Sequence, residues 1–345
     1  MKRSLMLLLM TVMLVVVTAC GSDEESSGEN NDSDSGDTKT IRAGIGLNEN
    51  HPEYEGLLKF KEIVEEETNG SIEVETYPSG QLGDDRTMTE GLQLGSLEVT
   101  IPSTSPMVNF VPEMAVFDFP FLFPDNETAD AVLDGPVGQK FLDMFDEQDI
   151  KALAYWENGF RDITNSQHEI ETAEDFEGLK IRTMENDLHL DAFRELGANP
   201  TPMAFGELFT AMQQGTVDGQ ENPVATIYLE KFYEAQEYVS TTNHIYTPFV
   251  FLISKEFYDG LSEEEQQIVS DAAIEAGEYQ REVIREDAEE NFEALGEEGM
   301  TVTEVTPEAR EKMQEIVQPI IDKYAEEIGE DLVQEVYDAV EEASK

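Results

Sequence analysis

The chain has 345 residues, of which 76 are acidic and 21 are basic, giving a formal charge of −55 at pH 7. This length allows two ordinary domains and a sizeable core. The acidic excess argues against nucleic acid and anionic membrane surfaces as partners, because both would repel the chain. Most of the acids lie in helical runs, which indicates a solvated surface. A salt-loving source would explain such a surface, because salt screens the repulsion between its charges.

The N-terminus predicts a lipoprotein signal peptide over residues 1–19. Lys2 and Arg3 precede an apolar run, residues 5–17, that is too short to span a bilayer. The run ends in VTAC, which resembles a bacterial lipobox, so Cys20 is predicted to be lipidated and to anchor the chain to the membrane. An ordinary signal peptide with a chance cysteine is the alternative. Because Cys20 is the only cysteine, the mature chain can form no internal disulfide.

A disordered acidic tether is predicted over residues 20–38. Residues 21–38 contain only Gly, Ser, Asp, Glu, Asn and Thr. Such a composition has no apolar surface to bury, so nothing offsets the conformational entropy that folding would cost. No later segment is long and apolar enough to cross a membrane.

The pattern after the tether opens as β-α-β-α-β. Strands are predicted over 40–47, 71–78 and 97–104, and amphipathic helices over 51–70 and 82–96. Alternation of this kind favours a parallel sheet covered by helices. An aromatic, proline-broken run then follows over residues 109–124, and it suits either a core wall or the lining of a cleft.

A second α/β block is predicted to begin near residue 152. We expect its strands to cross to the first block and to leave a ligand cleft at the carboxyl ends of the strands. The predicted domains are 39–158 with 247–288, and 159–246 with 289–345. The predicted elements are strands or extended segments at 179–184, 198–203, 216–223 and 245–254, helices at 186–197, 206–215 and 225–239, and long acidic helices from Ser262 to Ser344.

No motif for catalysis or metal binding is present. The sequence lacks G-x-S-x-G, H-E-x-x-H and a second cysteine, and it has no EF-hand loop. The histidines have no metal-ligand spacing. We therefore predict a binding protein with no cofactor and no metal, and keep a secreted hydrolase or lyase as the competing class. The four histidines are His51, His168, His189 and His244.

Five segments, taken in order, resemble one family. They are YPSGQLGDDR, NGFRDITNS, LKIRTM, GANPTPMAFGELFTAMQQGTVDGQENP and FYEAQEYVSTTNH. They are similar to the extracytoplasmic solute-binding proteins of TRAP (tripartite ATP-independent periplasmic) transporters, over about residues 40–330. The resemblance implies a two-domain, periplasmic-binding-protein-like α/β fold that closes on an organic acid. It also implies an extracytoplasmic, monomeric protein that delivers the acid to a sodium-coupled permease. An ABC-type or chemoreceptor-linked binding lipoprotein with the same cleft is the alternative.

The resemblance assigns three principal ligand residues. Arg182, in LKIRT, corresponds to the main carboxylate-binding arginine, and Asn222, in QENP, corresponds to the asparagine beside it. Arg161, in NGFR, corresponds to a second arginine that often reaches the ligand. The chemistry is apt, because a carboxylate taken from water must be paired, and arginine presents an always-charged planar fork.

Further positions of the site suit hydroxyl groups. Ser103, Thr104 and Ser105 follow a predicted strand where the family's first domain contributes side chains. Asp85 and residues 48–51, which include His51, occupy rim positions that vary with the ligand. A sugar acid such as a uronate is favoured slightly over a C4-dicarboxylate. Sialic acid is disfavoured, because Ser103 stands where sialic-acid binders have a glutamate.

The segment 197–223 is almost free of charge in this acidic chain, as expected beside a bound carboxylate. Its two glutamates, Glu207 and Glu221, are expected to face solvent or to pair with cations. Four aromatic residues could stack on a ligand but are more typical of a core. They are Phe123, Trp156, Phe160 and Phe205.

Overall fold

The structure, a computed structural model, describes residues 38–345. The predicted signal peptide, Cys20 and nearly all of the tether lie outside these residues. Within residues 38–345 no helix is long and apolar enough to cross a membrane. The strands are β1 (Lys39–Gly44), β2 (Ile72–Tyr77), β3 (Val99–Thr100), β4 (Ile150–Asn165), β5 (Lys180–Thr183), β6 (Asn199–Pro202), β7 (Gly219–Asn222), β8 (Tyr238–Ser254) and β9 (Thr301–Thr303).

One mixed sheet contains these strands in the order β2-β1-β3-β8-β4-β7-β5-β6, with β9 paired to β8. The predicted β-α-β-α-β opening is confirmed, since β1 is parallel to both β2 and β3. A second parallel group, β7-β5-β6, lies at the other side of the sheet. The two groups run in opposite directions, because three antiparallel pairings separate β3 from β7.

A long antiparallel ribbon joins the two groups. Strands β4 and β8 pair from Ile150 with Ser254 to Asn165 with Tyr238, and the register shifts at three points along the ribbon. At one end of the ribbon β8 pairs with β3, and at the other end of the ribbon β4 pairs with β7. The ribbon is therefore the crossing connection expected from the sequence.

Helices cover the sheet. Several have a side-chain N-cap, including Asp84 before α2 and Asn186 before α6, which satisfies N–H groups that the first turn leaves free. The helices are α1 (Pro52–Glu67), α2 (Asp85–Gln93), α3 (Thr104–Met107), α4 (Asn126–Leu133), α5 (Pro136–Met144), α6 (Asp187–Glu195), α7 (Phe205–Gln213), α8 (Val224–Leu229), α9 (Lys255–Asp259), α10 (Glu263–Glu286), α11 (Ala288–Glu297), α12 (Pro307–Ile328) and α13 (Glu330–Ala343).

The core is divided among several apolar clusters. Trp156, at the middle of β4, is fully buried against Phe251, and its Nε1 donates to the Ala273 carbonyl at 2.9 Å. The aromatic run 109–124 forms a core wall that includes a 3₁₀ helix, residues 112–118. Of the two alternatives for that run, the structure favours the core wall.

Two element predictions differ from the structure. The helix predicted over residues 225–239 ends at Leu229, and β8 already begins at Tyr238. The short strand β9 was not predicted among the C-terminal helices. In addition, α13 packs on α4 and α5, which belong to the predicted first domain. The domain boundaries themselves stay a prediction.

Candidate functional site

A cleft lies where the two parallel groups of strands meet the ribbon. It holds about 610 Å³ of empty space, which includes open solvent at its mouth. Segments after β1, β3, β5 and β7 line it, as does the first turn of α1, while Asn158 and Phe249 come from the middle of the ribbon. The carboxyl ends of parallel strands thus define the site, as the sequence pattern predicts.

Arg182 lies at the end of β5 and lines the cleft. It is 2% exposed, and its Nε and Nη2 donate to the Met203 carbonyl at 2.9 and 2.7 Å. Burial lowers the pKa of Arg182 to about 10, so the guanidinium stays charged at neutral pH. Its Nη1 is buried without a hydrogen-bond partner among residues 38–345. An oriented, charged donor of this kind can bind a carboxylate oxygen.

Asn222 ends β7 and lines the same cleft. Its Oδ1 accepts from Arg161 Nη2 at 3.1 Å, and its Nδ2 donates to Gln220 Oε1. A primary amide has two N–H donors, so one stays available to a ligand. The structure thus brings Asn222 and Arg182 to one cleft, and the role of Asn222 in ligand binding stays a prediction.

Arg161 is fully buried and does not line the cleft. Its guanidinium donates to both carboxylate oxygens of Glu221 and, at 2.6 Å, to the Glu221 carbonyl. Burial would raise the pKa of Glu221, but the charge of Arg161 prevails and holds that pKa below its usual range. In this arrangement Arg161 is paired and orients Asn222. Its Nη1 is buried without a hydrogen-bond partner among residues 38–345, and contact of Arg161 with the ligand stays a prediction. Of the two alternatives for Glu221, pairing with a cation holds and facing solvent is wrong.

Two more predicted residues line the cleft. Ser103 Oγ is buried and has no hydrogen-bond partner in the described part of the chain. Its backbone N–H lies 3.3 Å from Asp85 Oδ2. Burial raises the pKa of Asp85 to about 6, although the charge of Arg182 opposes the shift. Asp85 can therefore exchange between the ionised and neutral forms near neutral pH.

Three predicted residues are not brought into the cleft. His51 is fully buried as the N-cap of α1, where Nδ1 accepts from the Glu53 N–H at 3.1 Å and Nε2 lies 3.2 Å from Thr226 Oγ1. Burial lowers the pKa of His51 to about 3, which keeps the ring neutral. Thr104 Oγ1 donates to the Pro248 carbonyl at 3.2 Å, and Ser105 Oγ donates to Asp118. The polar atoms of these three side chains therefore form hydrogen bonds within the protein.

Glu53 and Asn158 are among the cleft residues that the sequence reasoning missed. Glu53, in the first turn of α1, is 1% exposed, and neither of its carboxylate oxygens has a hydrogen-bond partner among the described residues. Asn158 lies in the bulged middle of β4, and its Oδ1 is also buried without a hydrogen-bond partner among the described residues. An exposed acid, Glu55, stands two residues after Glu53, and the run gives no signal for which of the two is buried.

Of the four candidate aromatics, only Phe205 lines the cleft. Phe123 and Trp156 are buried in core clusters, and Phe160 packs edge-on against Tyr246. Within residues 38–345, no group of three or more acidic, histidine or cysteine side chains is placed to hold a metal ion.

The fold and the cleft define a class: an α/β protein with an arginine-bearing cleft for an anionic solute. The profile of the bacterial extracellular solute-binding protein family 7 (DctP) matches residues 43–327, so the chain belongs to this family. Its members bind solutes for TRAP transporters outside the cytoplasm, and they are not enzymes. The resemblance drawn from the sequence is thereby confirmed.

Three relatives illustrate the likeness. A solute-binding protein of Verminephrobacter eiseniae is 43% identical over 271 residues, which cover 79% of this chain and 81% of the relative. The sugar acid binding protein of Advenella mimigardefordensis, solved with galactonate, is 44% identical with a TM-score of 0.87, covering 88% of this chain and 98% of that one. A TRAP periplasmic solute-binding protein of Polaromonas, bound to D-erythronate, is 39% identical with a TM-score of 0.84 and covers 87% and 98% respectively.

Proposed function

We propose that this solute-binding protein captures a small sugar acid by its carboxylate, with Arg182 as the primary ligand residue. The observation that carries the proposal is the buried, unpartnered Nη1 of Arg182 inside the cleft. A buried donor without a partner costs free energy, and a ligand carboxylate would repay that cost. A C4-dicarboxylate is the second candidate ligand.

The other residues act in support. Asn222 donates its second amide N–H to the carboxylate, and Arg161, neutralised by Glu221, orients Asn222. Ser103 and Asp85 contribute further polar groups to the cleft. His51, Thr104 and Ser105 hold the segments that carry the site. The relatives solved with galactonate and D-erythronate support a polyhydroxy acid as the ligand.

Capture involves closure of the two predicted domains, 39–158 with 247–288 and 159–246 with 289–345, around the acid. Hinge motion of this kind is general among periplasmic binding proteins. The closed monomer then delivers the acid to a sodium-coupled TRAP permease. A lipid on Cys20 keeps the protein at the outer face of the cell membrane, since multiple acyl chains give stable anchoring.

Calorimetric titration of the chain from residue 21 onward, in high salt, tests the proposal. The panel contains galactonate, gluconate, galacturonate, erythronate, malate and succinate, with neutral galactitol as the control for hydroxyl groups alone. We expect one-to-one binding of a sugar acid in the micromolar to nanomolar range, about −8 to −12 kcal/mol, and no binding of galactitol. Silence across the acids on a folded protein, or equal binding of galactitol, would refute the proposal.

A further inference from the structure

Glu53 is a buried acid that the protein does not satisfy. Its backbone N–H donates to His51 Nδ1. Glu53 lines the cleft, and both of its carboxylate oxygens are buried without a hydrogen-bond partner among residues 38–345. Leaving such a group unpaired destabilises the folded state, and an apolar side chain would be more stable at a purely structural position. The residue therefore calls for a partner that enters the cleft.

The charges around Glu53 determine what that partner can be. Burial, followed by the negative charges of Asp85 and Glu230, raises the pKa of Glu53 well above its usual value. A neutral carboxylic acid has one O–H donor and a carbonyl acceptor. That combination matches the hydroxyl groups of a ligand, which can donate and accept in the same way.

The cleft carries charged groups of both signs. Arg182 supplies the cation, and Asn222 lines the same cleft. Asp85 is close enough to Arg182 for the guanidinium to lower its pKa, whereas the charges that shift the pKa of Glu53 are both negative. Of the two acids, Glu53 is therefore the one on which acidic neighbours and not Arg182 act.

No second buried cation is free to receive another carboxylate among the described residues that line the cleft. Arg161 is fully buried, is not among the residues that line the cleft, and is neutralised by Glu221. Arg86, at the mouth, is half-exposed and paired with Glu90 at 3.1 Å. A second carboxylate beside Glu53 would lose its hydration without gaining a charged partner.

We propose that Glu53 is a specificity-determining residue, which hydrogen-bonds the hydroxyl groups of a sugar acid held on Arg182. With Asp85 beside it, Glu53 makes the cleft select a polyhydroxy monocarboxylate over a dicarboxylate. The inference rests on the proposed function. It combines hydrogen-bonding groups for hydroxyls with the lack of a cationic partner for a second carboxylate, and such pairing of favourable and unfavourable contacts is how binding sites commonly achieve discrimination.

The first test uses the unaltered protein and four ligands: galactonate, gluconate, succinate and hexanoate. Hexanoate has the chain length of galactonate without its hydroxyl groups. We expect the tighter of the two sugar acids to bind at least about 100-fold more strongly than succinate or hexanoate. Succinate or hexanoate binding as tightly as the sugar acids would overturn the inference and leave the proposed function standing. A protein that binds none of the acids would instead refute the proposed function.

The second test replaces the side chain. Glu53→Met keeps the length and removes the hydrogen-bonding groups, whereas Glu53→Gln keeps a donor and an acceptor. The matched control is Glu55→Met, in the same helical turn but exposed to solvent. For Glu53→Met we expect sugar-acid affinity to fall about 10- to 100-fold, which corresponds to the loss of one or two hydrogen bonds. Succinate affinity should change by less than about 3-fold. Glu53→Gln should retain sugar-acid affinity to within about 5-fold, and Glu55→Met should change neither ligand.

Thermal unfolding separates this role from a structural one. Because Glu53 has no partner to lose within the described protein, Glu53→Met should not lower Tm in the absence of ligand. Equal weakening of succinate and sugar acid, together with a lower Tm, would show that Glu53 only supports the fold. Unchanged selectivity in Glu53→Met would also contradict the inference.

Discussion

Replacing Glu221 with glutamine is predicted to destabilise the protein by about 3–5 kcal/mol, the usual cost of removing one partner from a buried ion pair. Both Glu221 and Arg161 have fully buried side chains. The substitution keeps the shape of Glu221 but leaves the guanidinium of Arg161 buried without a counter-charge. At about 2.1 cal/mol/K of unfolding entropy per residue, a loss of 1 kcal/mol lowers the Tm of a chain of this length by roughly 1.4 °C. We therefore expect Tm to fall by roughly 4–7 °C.

The assay is thermal and urea unfolding of the ligand-free protein. Glu207→Gln is the matched control, because Glu207 is exposed on the neighbouring helix α7. The double variant Arg161→Met with Glu221→Met should recover most of the lost stability, since apolar side chains of similar size often replace a buried pair at little cost. A loss below about 1 kcal/mol in Glu221→Gln would refute the reasoning that the pair is dry and mutually neutralising.

Four further predictions concern other parts of the protein. Gly277→Ala should destabilise by about 1–3 kcal/mol and shift the fluorescence of the sole tryptophan, because the new Cβ would lie 2.5 Å from Trp156 Cδ1. Asp162 has a pKa raised by burial from 3.8 to about 7, so the folded state binds the extra proton between those values and wild-type stability falls as pH rises through that window. Asp162→Asn lacks this loss, so its stability relative to wild type should grow from about pH 4 to 7 by up to about 1.4 kcal/mol per pH unit in urea titrations. Asn222→Asp should weaken sugar-acid binding at least about 10-fold in calorimetry, since it places a like charge beside the ligand carboxylate. Raising the salt concentration from about 0.01 M to about 1 M should not weaken binding, because salt screens the anion-repelling surface more than the buried site.

Each of these four predictions has an outcome that contradicts it. Unchanged stability and emission in Gly277→Ala would mean that the helix shifts freely around the indole. A pH-independent difference for Asp162→Asn would mean that Asp162 titrates normally. Undiminished binding by Asn222→Asp would place the carboxylate elsewhere. A steep loss of affinity with salt would mean that exposed charges dominate binding.

The sequence predicted the parallel strands and most helices because their periodicity is local. The resemblance went further and located Arg182 and Asn222, two residues far apart in the chain that line one cleft. It did not predict that Arg161 is paired with Glu221. Its neutralisation by Glu221 depends on the register of β4 against β7, and strand register is not readable from one strand alone.

Glu53 illustrates why part of the site escaped prediction. Residues two apart on a helix point about 200° away from each other, so Glu53 faces inward while Glu55 faces solvent. In a chain this acidic, one more glutamate in the first turn of a helix is read as surface. His51 carried a local signal that could have been used, because a polar residue directly before Pro52 is typical of a helix N-cap.

The measurement that tests the account most directly is calorimetric titration of galactonate and gluconate into wild type, Arg182→Met and Arg194→Met. Arg194 is an exposed arginine on α6, paired with Asp191, and serves as the matched control. Losing the charged partner of a buried carboxylate costs about 2–5 kcal/mol, so Arg182→Met should weaken binding of the preferred acid roughly 30- to 5,000-fold. Arg194→Met should bind like wild type. An Arg182→Met protein that stays folded and binds the acid within about 3-fold of wild type would contradict the central claim that Arg182 holds the carboxylate.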